Sequence, residues 1–208
     1  MSKINAGLER RYFDTGVQLR AAEDGDTSRT IEDYAFKYEV WSRKLMGWFY
    51  EKIARGAADD IKFDEVDILA LFNHSYDKVL ARTISNTLQL ENDEIGLRYW
   101  FDAPNNTSGN DLLESVKRGD IQHSSFAFIT APGGDSWTID ENGDERRTLL
   151  KFAQILDVSP VTNPAYLDTT VAKRSFEQFK SEQEALKTYH RREMARRKFE
   201  LMFNNSNK

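Results

Sequence analysis

The sequence predicts an α+β protein, mainly β, that ends in a helix. Three observations predict it. Apolar and aromatic residues alternate with polar ones at period two, most clearly at Leu97, Tyr99 and Phe101. Clusters of Gly, Asp, Asn and Pro punctuate the segments between these runs. Residues 175–203 hold neither Gly nor Pro and are rich in charge, the composition of a long helix.

In chain order, short apolar pieces at Tyr12-Phe13 and Val17-Gln18-Leu19 read as strands. Residues 22–28 form an acidic, turn-rich loop, and residues 29–41 return to strand. There Tyr34, Phe36, Tyr38 and Val40 occupy alternate positions, so one face is expected to be half buried and the two β segments to form a hairpin. Phe49, Ile53, Ala54, Ala57 and Ala58 fall roughly on one helical face across residues 48–59, with Gly56 interrupting it. Residues 64–72 have the length and apolarity of a buried strand, which exits into Asn73-His74-Ser75-Tyr76.

Residues 79–92 and 95–103 read as two further strands, turning at Glu91-Asn92-Asp93-Glu94. Ser108 and Asp111 stand at capping-box spacing before Leu112, Leu113 and Val116, and Gly119 ends that short helix. Small polar residues then lead into an aromatic strand, Ser124-Ser125-Phe126-Ala127-Phe128. The Gly- and Asp-rich stretch over 132–144 predicts a mobile excursion, and residues 148–158 a second long strand. Asn163-Pro164-Ala165-Tyr166 closes a domain of residues 1–174. Residues 175–208 form a charged helical tail, starting with Ser175 and Gln178 at capping-box spacing and fraying over 204–208.

Composition excludes several function classes. The hydrophobic share of 39% supports a buried core, whereas a formal net charge of −5 and a pI near 5.4 argue against a generally nucleic-acid-binding surface. With no cysteine there is no disulfide, thiolate metal site or cysteine nucleophile. Three scattered histidines make a multi-histidine metal site improbable, and no cofactor is expected. No apolar run approaches the roughly 20 residues that span a bilayer, and the first residues lack the apolar core of a secretory signal, so an intracellular protein without a membrane partner is expected. Asp140-Glu141-Asn142-Gly143-Asp144 lacks the full spacing of a calcium loop and reads as a solvated loop. The basic residues over 191–198 alternate with Glu and Ala and read as a helix face, weighed against nucleic acid.

Three polar groups stand at strand edges: His74, the Ser124-Ser125 pair and Asp157. A neutral imidazole titrates near neutral pH and serves as a general base. A serine becomes a nucleophile when such a base takes its proton, more so when a carboxylate orients the base. The bland alternative is that the serines are turn residues and Asp157 an exposed charge at a strand end.

Several ordered motifs tie these residues together. Glu51-Lys52-Ile53-Ala54-Arg55-Gly56-Ala57, Leu71-Phe72-Asn73-His74 with Leu80-Ala81-Arg82-Thr83, Gly119-Asp120-Ile121 with Ser125-Phe126-Ala127-Phe128, and Leu156-Asp157-Val158-Ser159-Pro160-Val161-Thr162-Asn163-Pro164-Ala165-Tyr166 follow one another over about residues 10–174. In this order they resemble the caudoviral (tailed-phage) prohead maturation proteases, which are similar to the herpesvirus assembly proteases. The resemblance implies an antiparallel β-barrel with surrounding helices and a serine endopeptidase. It further implies cleavage of a scaffold protein or capsid-protein segment inside the immature capsid in the host cytoplasm, with self-cleavage; homo-oligomerisation stays open.

The resemblance places His74 on the family histidine, Ser125 on the motif serine, and Asp157 where many members carry Glu. Ala127 stands where glycine is usual. Ser124 and Ser125 point to opposite faces of an extended strand; the motif selects Ser125, with Ser124 in reserve. Arg82 and Arg146-Arg147 are the candidates for extra positive charge at the site. The departures at Ala127 and Asp157 motivate an alternative, a catalytically inactive capsid-assembly scaffold of the same fold. A nucleic-acid-binding module using the basic tail is a third reading.

Overall fold

The structure, a computed structural model, describes residues 7–13, 16–20, 28–162 and 170–205. The chain divides into two compact units, Met1–Asp168 and Thr169–Lys208. The first opens with β1 (Leu8–Phe13), β2 (Gln18–Leu19) and β3 (Thr30–Lys37), followed by β4 (Phe49–Ile53), β5 (Leu69–Leu71) and β6 (Val79–Arg82). After β7 (Leu88–Asn92) and β8 (Gly96–Asp102) comes helix α1 (Thr107–Arg118). Strands β9 (His123–Thr130), β10 (Asp135–Ile139), β11 (Glu145–Leu149) and β12 (Phe152–Val161) complete it. The second unit is helix α2 (Thr170–Asn205). Among the described residues no helix is long and apolar enough to cross a membrane.

The strands form three sheets: β1-β9-β12-β5-β6, β10-β11-β4 and β2-β3-β8-β7. Class and helical ending match the α+β, mainly β expectation. The barrel does not emerge from the ladder: among the described residues no sheet closes on itself, and β11–β4 and β12–β5 pair in parallel. The core lies between sheets. Phe36 of β3 meets Phe126 of β9 at 4.9 Å between ring centroids. Phe126 stacks on Phe128 at 4.8 Å, and Phe128 meets Phe152 edge-on at 5.0 Å. All four rings are buried; truncating one to Ala costs about 3–5 kcal/mol in such a setting.

Several expected elements are redrawn. Residues 48–59 hold strand β4 and turns rather than a helix. Phe49, Glu51 and Ile53 alternate inward, a period concealed by the charge on Glu51. Within the stretch over 132–144, residues 135–139 form strand β10, which pairs with β11 just beyond it in a hairpin, and turns fill the rest. Residues 79–92 break into β6 and β7, and residues 64–72 yield only the three-residue β5. Residues 148–158 straddle the end of β11 and the start of β12. In β3 the buried face runs Ile31, Asp33, Ala35, until a bulge between Tyr34 and Phe36 transfers burial to Phe36 and Tyr38; Val40 is exposed.

Helix α1 is capped by Asn106, whose side chain accepts from the Gly109 N–H at 2.9 Å, and not by Ser108. Asn is as good an N-cap as Ser, and a Cβ at position 109 would lie 2.0 Å from the Pro104 carbonyl oxygen. Gly119 ends the helix at φ 77°, in the left-handed region glycine favours. β2 and β3 pair as the expected hairpin, whereas β1 crosses to β9. The acidic loop over 22–28, apart from Ser28, and the turn at Asn163-Pro164-Ala165-Tyr166 lie outside the described residues.

Glu51 belongs to a buried charge cluster that joins two sheets. The Arg11 guanidinium donates to Glu51 Oε1 at 2.5 Å and to Glu9 Oε2 at 2.7 Å. Arg147, 1% exposed, donates to Glu9 Oε2 at 2.6 Å, Glu51 Oε2 at 2.9 Å and Asp135 Oδ2 at 2.7 Å. Burial alone would raise the Glu9 carboxyl, but Arg11 and Arg147 outweigh it and hold Glu9 down at about 2. Glu9 and Glu51 each meet both guanidinium groups, the condition under which buried charge is tolerated.

Since the folded value of Glu9 lies below its ordinary 4.5, its contribution is fully present above that value and is lost as pH falls toward about 2. The contribution is roughly 3 kcal/mol. Glu9→Gln is expected to be less stable at neutral pH and to lose less stability between pH 5 and pH 2 than the parent. Urea titrations at a series of pH values measure this; parallel pH dependences for the two proteins would refute it.

Candidate active site

Strand β9 sets the frame. Ser124, Phe126 and Phe128 point toward the core, and Ser124 Oγ donates to the Tyr99 hydroxyl at 2.9 Å. Ser125 and Ala127 point to the opposite face, because successive side chains of a strand alternate. On that face the antiparallel neighbours stand in rows. Tyr12, Ser125 and Ser159 align across β1, β9 and β12, and Arg10, Ala127 and Asp157 form the next row.

Asp157 reaches this face through a bulge. Ile155 pairs with core-facing Phe128, so simple alternation would turn Asp157 into the core as well. The register shift between Ile155 and Asp157 inserts one residue, and Asp157 pairs with Ala127 instead. Val158 then takes the core position beside Phe126.

His74 arrives from β5, which runs parallel to β12 with Leu69 beside Asp157 and Ala70 beside Val158. Past the strand end, the Asn73 N–H donates to the Pro160 carbonyl at 3.1 Å, and Asn73 Oδ1 accepts from the Thr162 N–H at 3.0 Å. Asn73 and His74 both adopt left-handed backbone, φ 53° and 55°. Asn and His enter this region more readily than most residues. The turn lays the imidazole over the two rows.

There His74 Nε2 lies 2.6 Å from Ser125 Oγ and Nδ1 lies 2.6 Å from Asp157 Oδ1. Asp157 is fully buried, Ser125 is 4% exposed, and the imidazole keeps 13% of its surface open. The shorter reach of Asp is therefore sufficient here. With Asp157 ionised, Nδ1–H donates to the carboxylate and the Nε2 lone pair faces the serine hydroxyl. Such a series can move a proton from hydroxyl to imidazole. Ser125 Oγ has a second acceptor, the Arg11 carbonyl at 3.0 Å.

Two contributors were not singled out from sequence. Ser159 Oγ donates to Asp157 Oδ1 at 2.8 Å and lies 3.2 Å from His74 Nδ1. A serine two residues beyond the acid in a strand was its available signal, since such a pair shares a face. The Arg11 carbonyl has no sequence signal at all. The arginines named as sources of positive charge are all engaged elsewhere. Arg82 pairs with Asp67, Arg146 with Asp140, and Arg147 lies in the buried cluster.

The turn generates a test of its own. Asn73→Ala places a β-carbon in left-handed backbone and removes the bond from Thr162; the expected loss is about 1–2 kcal/mol. Asn73→Gly removes the same bond without the steric penalty and is expected to lose less. Denaturant midpoints of the three proteins decide; an equal loss for Gly and Ala would mean that backbone conformation is not what Asn73 supplies.

The family model described as Caudovirus prohead serine protease matches residues 15–182, beginning just after β1 and ending within α2. No curated protein and no solved structure matches the chain. With most of its 208 residues covered by that model, the chain belongs to the caudovirus prohead serine protease family.

Proposed function

We propose that this chain is a serine endopeptidase of prohead maturation in which Ser125 is the nucleophile, His74 the general base and Asp157 the group that orients it. The observation that carries the proposal is the hydrogen-bonded series Ser125–His74–Asp157, with both contacts at 2.6 Å, in a chain of this family. His74 takes the Ser125 proton on Nε2 as Oγ bonds to the peptide carbonyl carbon, then returns it to the leaving amine. Water repeats the cycle on the acyl-enzyme. Asp157 holds the Nδ1–H tautomer and stabilises the imidazolium.

Ser159 acts as a positioning residue in this scheme. Its hydroxyl and the imidazole N–H converge on the same Asp157 oxygen, which restrains rotation of the carboxylate. The Arg11 carbonyl receives the Ser125 hydroxyl whenever His74 already carries a proton on Nε2. One hydroxyl proton serves only one of these acceptors at a time.

The substrates in this reading are scaffold or capsid-protein segments within the procapsid in the host cytoplasm, and the chain itself. The three sheets are then an opened version of the family barrel within Met1–Asp168, and the charged helix α2, which starts at Thr170 and not at the expected Ser175, serves scaffold docking or self-cleavage. The inactive-scaffold alternative is disfavoured, because an abandoned site has no reason to keep two contacts this short.

Ser125→Ala and His74→Ala, expressed with the phage's capsid and scaffold proteins, are expected to leave both unprocessed, whereas Ser124→Ala still processes them. Intact mass of the products reads the result, and normal processing by Ser125→Ala would sink the mechanism. Ser159→Ala removes one hydrogen bond to a charged group and is expected to lower kcat about tenfold with KM nearly unchanged. Ser159→Thr keeps the hydroxyl and is expected to recover most of that loss. If Ser159→Ala turns over at the parental rate, Ser159 has no part in positioning.

A further inference from the structure

Arg10 stands in the row of Ala127 and Asp157, on the face of the sheet that carries Ser125. Its side chain is half buried, and its Nε atom is buried with no hydrogen-bond partner among the described residues. Neither of the two described acids nearest it in the ladder pairs with it. Glu9, next in the chain, faces the other side of the sheet and is held by Arg11 and Arg147. Asp157, across the row, keeps Oδ1 on His74 and Ser159, while its buried Oδ2 has no partner. The two residues flank Ala127 from strands about 10 Å apart. A buried guanidinium donor left unpaired is unfavourable unless something binds there in another state.

The surroundings suit an anion. Ala127, buried and small, forms the floor between Arg10 on one side and the His74–Asp157 pair on the other. The Tyr76 phenol, in the loop after His74, responds to both sides. Burial of its hydroxyl raises it, Asp157 raises it further, and Arg10 opposes them. Arg10 and Asp157 therefore both lie within electrostatic range of the Tyr76 hydroxyl.

Position within the rows distinguishes two roles for a cation. Arg10 is one row beyond Ser125, about 6.8 Å along the strand, the spacing of alternate side chains in an extended peptide. A group stabilising the oxyanion must sit about 3 Å from the reacting oxygen itself. A planar fork with an unpaired Nε, displaced by one side-chain repeat, instead matches a carboxylate two-pronged.

We propose that Arg10 is a specificity-determining residue that binds an acidic side chain of the substrate one or two residues from the scissile bond. The proposal rests on the protease reading above and names the substrate class for the same site. The enzyme selects Glu or Asp beside the cleaved bond, and strand β1 supplies that selection.

The test uses the full-length protein and a panel of tripeptidyl diphenyl phosphonates in which each position carries Glu or Lys. Reaction forms an Oγ–phosphorus bond at Ser125 with loss of phenol, and intact mass gives the rate. At one position Glu is expected to label about 10- to 100-fold faster than Lys. Arg10→Glu is expected to reverse that order and Arg10→Gln to abolish it; the Gln variant stands in if the charge reversal fails to fold. Labelling of the parent without a Glu preference, or a preference unchanged in Arg10→Gln, overturns the inference alone. An equal slowing of every probe in Arg10→Gln also overturns it, since the arginine would then act on the reacting carbonyl. No labelling of the parent by any probe overturns the protease reading together with this inference.

Discussion

The structure depends on the alternation of one strand, β9. Its core side presents Phe126 and Phe128 to Phe36 and Phe152, and its other side presents Ser125 and Ala127. The two sides are coupled, because slipping the register by one residue would expose two phenyl rings and bury the serine away from His74. Aromatic packing that contributes several kcal/mol per ring thus also holds the site hydroxyl to its face. Ser124, one position earlier, meets Tyr99 in the core for the same reason.

Both neighbours of β9 are anchored independently of that packing. On one side the Glu9–Arg11–Glu51–Arg147 cluster ties β1 to β4 and β11, and the Arg11 carbonyl in that strand receives the Ser125 hydroxyl. A buried ionic cluster is a poor source of net stability compared with hydrophobic packing, but its loss is costly and its geometry is exacting. That suits a strand whose backbone carbonyl sits within hydrogen-bond distance of the Ser125 hydroxyl. On the other side the bulged ladder of β12 and the parallel β5 bring Asp157, Ser159 and His74 together.

Backbone strain and an unpaired buried oxygen are concentrated at the same place. Two consecutive non-glycine residues with left-handed backbone, a bulge and a buried carboxylate oxygen without a partner all lie within a few residues of the imidazole. Such features persist where the surrounding structure over-determines them, and here the Asn73 bonds to Pro160 and Thr162 do so. Family membership and this geometry are independent lines of support for one chemistry.

The sequence by itself determined the α+β class, the short helix with its glycine stop, the long terminal helix and, through ordered motifs, the residues worth watching. Those features are local: a capping residue, a period, a run without glycine, a motif at fixed spacing. Tertiary structure decided what depends on partners distant in the chain. The burial of Glu51 followed from Arg11 and Arg147, and so turned an apparent helix into strand β4. The bulge that aims Asp157 is one extra residue counted against a partner strand, which no pattern within β12 reveals. The Arg11 carbonyl and Arg10 gain meaning only from register, because pairing across a sheet joins residues more than a hundred positions apart.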